Sequence, residues 1–88
     1  MGKVLAVISV LPIGTDVDLE QLEKNIKENI PEGVELKESR KEPFAFGINA
    51  LKLSFLLSDA AGGTDNIEKA IKSLDGVGEV KVEYVSLV

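Results

Sequence analysis

The chain contains no cysteine and no histidine in 88 residues. Without cysteine it can form no disulfide and offer no thiolate to a metal, so its stability has to come from a packed core. Without histidine it lacks the usual general base at neutral pH and the commonest metal-binding imidazole. Its serines therefore have no imidazole partner, and no lysine stands in an obvious Ser-Lys arrangement, so nucleophilic catalysis lacks its ordinary machinery. Aromatic residues are scarce, at three Phe and one Tyr. The apolar runs are far too short to span a bilayer. Positive charge is in deficit, with 10 Lys and Arg against 15 Asp and Glu, a net charge of -5. That balance disfavours a general nucleic-acid binder, which needs a basic face, and an anionic membrane surface. A basic protein, or a basic patch on a larger one, is the natural electrostatic complement.

The chain is 44% hydrophobic. That is enough for one modest core and a single domain over residues 1–88. The start, Met1-Gly2-Lys3, runs directly into Val4 to Leu11. This segment is short and β-branched, and no small-residue cleavage motif follows it, so the expectation is an uncleaved cytoplasmic protein. The absence of cysteine fits a reducing compartment.

Val4 to Leu11 is apolar on both alternating sets, which predicts a central strand ended by Pro12. Asp18 is a good N-cap, with Gln21 at the capping-box position. Leu19, Leu22, Ile26 and Ile30 then recur at helical spacing, predicting a helix near Asp18 to Ile30 that Pro31 and Gly33 stop. Val34 to Glu38 alternates as a half-exposed strand should, and Arg40-Lys41-Glu42 breaks the pattern. Pro43 to Ala50 reads as a long hairpin-like connection. Leu51, Leu53, Phe55 and Leu57 share one face of the next strand. Gly62-Gly63-Thr64 leads into a second helix, near Asp65 to Leu74, with Asp65 as its expected cap and Ile67, Ala70, Ile71 and Leu74 as its buried stripe. In the last strand Val80, Val82 and Tyr84 alternate with Lys81, Glu83 and Val85.

The order is therefore β-α-β-β-α-β. Two split βαβ units predict an α+β, ferredoxin-like sandwich, with four antiparallel strands in one sheet and two helices on one face. The helix-to-strand turns Ile30-Pro31-Glu32-Gly33-Val34-Glu35 and Leu74-Asp75-Gly76-Val77-Gly78-Glu79 echo each other in the two halves. Leu22, Ile26, Ile67 and Ile71 should be buried against Val7, Leu53 or Val82. In the first strand, Leu5, Val7 and Leu11 cannot face helices if Val4, Ala6, Ile8 and Val10 do. Apolar surface is then left for a contact.

Composition leaves little room for metal or nucleotide chemistry. Asp59 and Asp65 flank a glycine turn but lack calcium-loop spacing, so a turn and a cap are the simpler roles. Gly62-Gly63-Thr64 could offer amides to a phosphate, but it lacks the long glycine loop and Lys-Ser/Thr of a nucleotide P-loop. No metal and no cofactor is expected. RNA-recognition modules share this fold and stack bases on aromatics of the two central strands. The first strand here has no aromatic, and Phe55 belongs to the apolar set. An RNA-binding module or a small-ligand regulatory domain of the same fold remains an alternative to protein binding. Lys37, Arg40, Lys41 and Lys52 cluster on the second and third strands, either as half of a charge-complementary interface or as a solvated strand face.

The segment most suggestive of a partner is Pro43-Phe44-Ala45-Phe46-Gly47-Ile48-Asn49-Ala50-Leu51. A proline constrains the backbone, two phenylalanines follow at i and i+2, and a glycine frees the backbone again. If the stretch is extended, both rings point one way. Together with Val17-Asp18-Leu19-Glu20, Ile30-Pro31-Glu32-Gly33, Asp59-Ala60-Ala61-Gly62-Gly63-Thr64-Asp65 and Gly76-Val77-Gly78-Glu79-Val80, it resembles the elongation factor 1-beta family. The likeness extends to archaeal members and to the C-terminal exchange domain of the eukaryotic ones, and covers essentially the whole chain.

The resemblance implies a ferredoxin-like guanine nucleotide exchange factor that works by binding, without covalent chemistry. Its implied partner is elongation factor 1A, in the GDP-bound and nucleotide-free states, with no direct contact to nucleic acid or membrane. It also implies that Phe46 packs against that GTPase, with Gly47, Ile48 and Asn49 shaping the loop. Arg40, Lys41 and Lys52 are the expected charged contacts. The family pattern places a lysine near the extreme C-terminus, whereas this chain ends Tyr84-Val85-Ser86-Leu87-Val88. Lys81 or another lysine then takes that role, or exchange proceeds without it.

Overall fold

A computed structural model describes residues 3–30, 33–45, 47–58 and 64–87, with the side chain of residue 45 left aside. Pro31, Phe46, Asp59, Gly62, Gly63 and Val88 lie outside the described residues. The expectations placed on the first five concern a helix stop, the partner contact, a metal-like turn and the turn before the second helix.

The elements run β1 (Lys3–Pro12), α1 (Leu19–Glu28), β2 (Val34–Ala45), β3 (Ile48–Ser58), α2 (Asp65–Lys72) and β4 (Val77–Leu87). The strands form one sheet in the order β2-β3-β1-β4, antiparallel throughout. This is the ferredoxin-like α+β arrangement expected from the element order. Strands of 10 to 12 residues at roughly 3.3 Å per residue account for the long axis of 42 Å.

Alternation decides which face is buried. Ala6, Ile8 and Val10 of β1 and Leu51, Leu53, Phe55 and Leu57 of β3 are all buried, with Leu22 and Ile26 of α1 and Ile67 and Ile71 of α2. Val80 and Val82 of β4 pack against this core. Val7 belongs to the opposite set and lines the uncovered side of the sheet, so it is not the helix partner that was expected. The expectation held for Leu53 and Val82.

The helix ends also differ in detail. Asp18 caps α1 through its carboxylate, which accepts from the amides of Glu20 and Gln21. The Gln21 side chain does not return to Asp18. It donates to Asn25 Oδ1 at 3.0 Å along the helix. For α2 the cap position is Thr64, whose side chain makes no capping bond, and Asp65 is the first helical residue. Asp65 there still places negative charge at the positive end of the helix. Gly33 and Gly76 both adopt positive φ, of 86° and 90°, at the turns into β2 and β4. That is the backbone form of the echo between the two halves.

The largest departure concerns β2. It continues through Arg40 and Pro43 to Ala45, and Ala45 pairs with Ile48. The expected long connection from Pro43 to Ala50 is instead mostly paired strand among the described residues. The pattern broke because β2 carries extra residues. Its register against β3 shifts between Leu36 and Glu38 and again between Pro43 and Ala45, leaving Lys37 and Phe44 as bulged positions. Strand β4 does the same against β1, at Gly78 and Glu83. The second of these moves Tyr84 off the face of Val80 and Val82 and opposite Val7. All four bulged positions sit on edge strands, where bulges also blunt the template for pairing with another chain.

Candidate protein-binding site

Two features stand out from this framework, the β2–β3 hairpin tip and the face of the sheet that no helix covers. At the tip, Gly47 is exposed with φ 76°, and a Cβ built on it would meet nothing within 4 Å. Glycine adopts such a positive φ without strain. Ile48 is half-buried and Asn49 is exposed opposite Pro43. The tip thus presents Gly47 and Asn49 to solvent on a paired, bulge-anchored hairpin.

The uncovered face can be read in rows across the strands. Glu38, Ser54, Val7 and Tyr84 form one row, and Arg40, Lys52, Ser9 and Lys81 the next. Glu42 opposes Ala50, and Leu11 opposes Glu79, one step closer to the tip. Small residues on the central strands (Ser54, Ser9 and Ala50) leave a trench between the longer side chains of β2 and β4.

Arg40 and Lys52 are direct register partners on this face. Like charges opposite each other are unfavourable unless something intervenes, and Glu42 intervenes. Its carboxylate lies 4.0 Å from Arg40 and 3.6 Å from Lys52. Arg40 also binds Glu38 at 2.9 Å. Lys52 reaches across Ser9 to Glu83 of β4, at 3.3 Å. The hydrogen bond to Glu83, followed by the charge of Glu42, raises the Lys52 pKa above the ordinary lysine value. Lys41 is elsewhere. It opposes Leu51, on the helix side, and pairs with Glu20 of α1 at 3.5 Å. Beside it, the Ser39 hydroxyl donates to Glu23 of the same helix.

The three cations expected to act together are therefore split between the two faces of the sheet, and each is engaged by carboxylates of its own chain. Lys81, on the open face, has no ion pair among the described residues. Phe44, one of the two rings of the segment the sequence singled out, is 64% exposed and lines a groove there with Leu11 and Ala50. Tyr84 escaped sequence reasoning: it is exposed on the same face. The signal available was the uncovered set Leu5, Val7 and Leu11, which marked the face without marking Tyr84 at its edge.

The face does not suit base stacking. Among the described residues its two central strands show no aromatic, because Phe55 is fully buried toward the helices. No group of three or more acidic, histidine or cysteine side chains is placed to hold a metal among the described residues. No helix is long and apolar enough to cross a membrane. What the surface offers is an exposed hairpin end at Gly47 and Asn49, exposed aromatic area and a patterned charge field, which are means of binding a protein.

Comparison with known proteins agrees on the family. Residues 5–88 match the model of the EF-1 guanine nucleotide exchange domain. Elongation factor 1-beta of Methanothermobacter thermautotrophicus is 46% identical over 85 residues, covering 97% of this chain and 96% of the relative. Elongation factor 1-beta of Staphylothermus marinus is 42% identical over 86 residues, covering 97% and 96%. That of Halorubrum lacusprofundi is 39% identical over 85 residues, covering 97% of each. With matches of this extent along nearly its whole length, the chain belongs to the EF-1 guanine nucleotide exchange domain family.

Proposed function

We propose that this protein promotes release of GDP from elongation factor 1A in the cytoplasm, so that GTP can reload it. The observation that carries this reading is the family match over residues 5–88. The hairpin end at Gly47 to Asn49, with Gly47 and Asn49 exposed, fits it physically.

No bond need be made or broken. An exchange factor binds the nucleotide-free partner more tightly than the GDP-bound one, and by linkage the partner's affinity for GDP falls by the same factor. A coupling of about 4 kcal/mol weakens GDP roughly a thousandfold. One buried aromatic anchor and a few polar contacts are adequate for that scale. In this reading Phe46 is the anchor, and Gly47, Ile48 and Asn49 hold its loop. Arg40 and Lys52 contribute from the open face by exchanging their own carboxylates for those of the partner, and Lys41 does so from the helix side.

The test is stopped-flow release of labelled GDP from elongation factor 1A, with and without the chain. The chain should accelerate release saturably. Phe46→Ala should slow the catalysed rate at least about tenfold while leaving the melting temperature nearly unchanged. No acceleration by the natural chain would refute the function. Normal exchange by the variant would remove Phe46 from it.

A further inference from the structure

Beside the hairpin tip, the open face holds a groove of about 220 Å³. Leu11 and Ala50 form its floor, and Phe44 stands at its β2 side. Phe44 occupies a bulge on the edge strand, is 64% exposed, and lies outside the buried core. Glu42, Glu79 and Glu83 line the same groove, with Lys81 as the one cation among them. Glu42 and Glu83 already share Lys52, whereas Glu79 has no ion pair among the described residues. Counting both lysines, the groove stays negative, as does the chain as a whole, at -5.

We propose that this groove docks a segment of the GTP-binding partner that carries an arginine or lysine next to an apolar side chain. This rests on the exchange-factor reading and adds to it a second contact, separate from Phe46. The chemistry selects the occupant. Long basic side chains bury an aliphatic stem while keeping the charged head solvated or paired. Such a stem fits along Leu11 and Ala50, its head reaches Glu79, and the Phe44 ring offers a face to the cation. A polyanion is opposed by the three carboxylates. A second copy of this chain would bring like charge against like.

Isothermal titration of elongation factor 1A with the natural chain, Glu79→Lys and Phe44→Ala tests this, alongside GDP-release rates. Both side chains are exposed, so melting temperatures should match that of the natural chain. Each substitution should weaken binding about tenfold or more at low ionic strength. The Glu79→Lys deficit should shrink as salt rises, while the Phe44→Ala deficit persists. If the natural chain accelerates GDP release and both variants bind within twofold of it, the groove assignment fails and the exchange function stands. If the natural chain neither binds nor accelerates release, both fail together. Self-association of the chain that the same substitutions abolish would overturn the proposal by assigning the groove to a second copy.

Discussion

Replacing Gly47 by alanine isolates how the hairpin tip is made. The backbone there has φ 76°, and a Cβ would touch nothing within 4 Å. The whole cost should therefore be conformational. Holding an L-residue in the left-handed region costs about 1–2 kcal/mol, and alanine recovers part of that by restricting the unfolded chain. We expect a net loss of about 1 kcal/mol, or roughly 4–8 °C in melting temperature for a domain of this size. Asparagine tolerates the same region better and should cost less than alanine. D-Alanine, introduced by chemical synthesis, prefers positive φ and should equal or exceed glycine. Urea melts of the four proteins give the ordering directly. Gly76→Ala is the internal contrast. Its φ is 90° and its Cβ would lie 3.2 Å from Val17 Cγ1, so strain and crowding add and the loss should exceed that at Gly47. Were L- and D-alanine equally harmful at position 47, the left-handed turn would not be what the glycine provides, and this account of the tip would be wrong.

The two helix starts should respond differently to cap removal. Asp18→Ala should cost about 1 kcal/mol by denaturant titration, because two amides lose their acceptor, whereas Thr64→Ala should cost a few tenths at most, since its hydroxyl makes no capping bond. Lys52 provides a pH test. Its folded-state pKa is raised by Glu83 and then Glu42, so its contribution to stability is complete below the unfolded lysine value, about 10.4, and is lost as pH rises through the higher folded value. Thermal melts of Lys52→Met against the natural chain should show a difference that is constant from pH 6 to 9 and shrinks in strong alkali. A difference that grows with alkali would have the wrong sign and would remove the Glu42–Lys52–Glu83 network as its cause.

Where a periodic signal was unbroken, the sequence predicted the structure closely. Leu51, Leu53, Phe55 and Leu57 are buried together, as are Leu22 with Ile26 and Ile67 with Ile71. A single period governs each of these segments, and one face of each meets the core. The pattern failed at Arg40 to Ala50 and at Tyr84. An inserted residue at Lys37, Phe44 or Glu83 shifts the alternation by one, and a one-residue shift exchanges the two faces. Proximity in sequence also misled. Arg40 and Lys41 are neighbours in the chain and therefore point to opposite sides of the sheet, while Lys52 and Glu83, far apart in the chain, meet across Ser9.

The positions that periodicity cannot read are those that shape the open face. The bulge at Phe44 leaves an aromatic ring exposed beside the hairpin tip, and the bulge at Glu83 brings a carboxylate within 3.3 Å of Lys52 and sends Tyr84 to the same side. Both bulges lie on edge strands, where an extra residue does not interrupt the central β1–β3 pairing. The core and the open face are thus specified by different rules. Strict alternation on β1 and β3 builds the core, and controlled departures from it on β2 and β4 build the surface. Changes at the bulged positions Lys37, Phe44 and Glu83 would leave the central β1–β3 pairing in place while rearranging the open face, whereas a side chain at Gly78 would crowd the backbone of Leu11 and Pro12, its Cβ lying 3.0 Å from the Pro12 carbonyl oxygen.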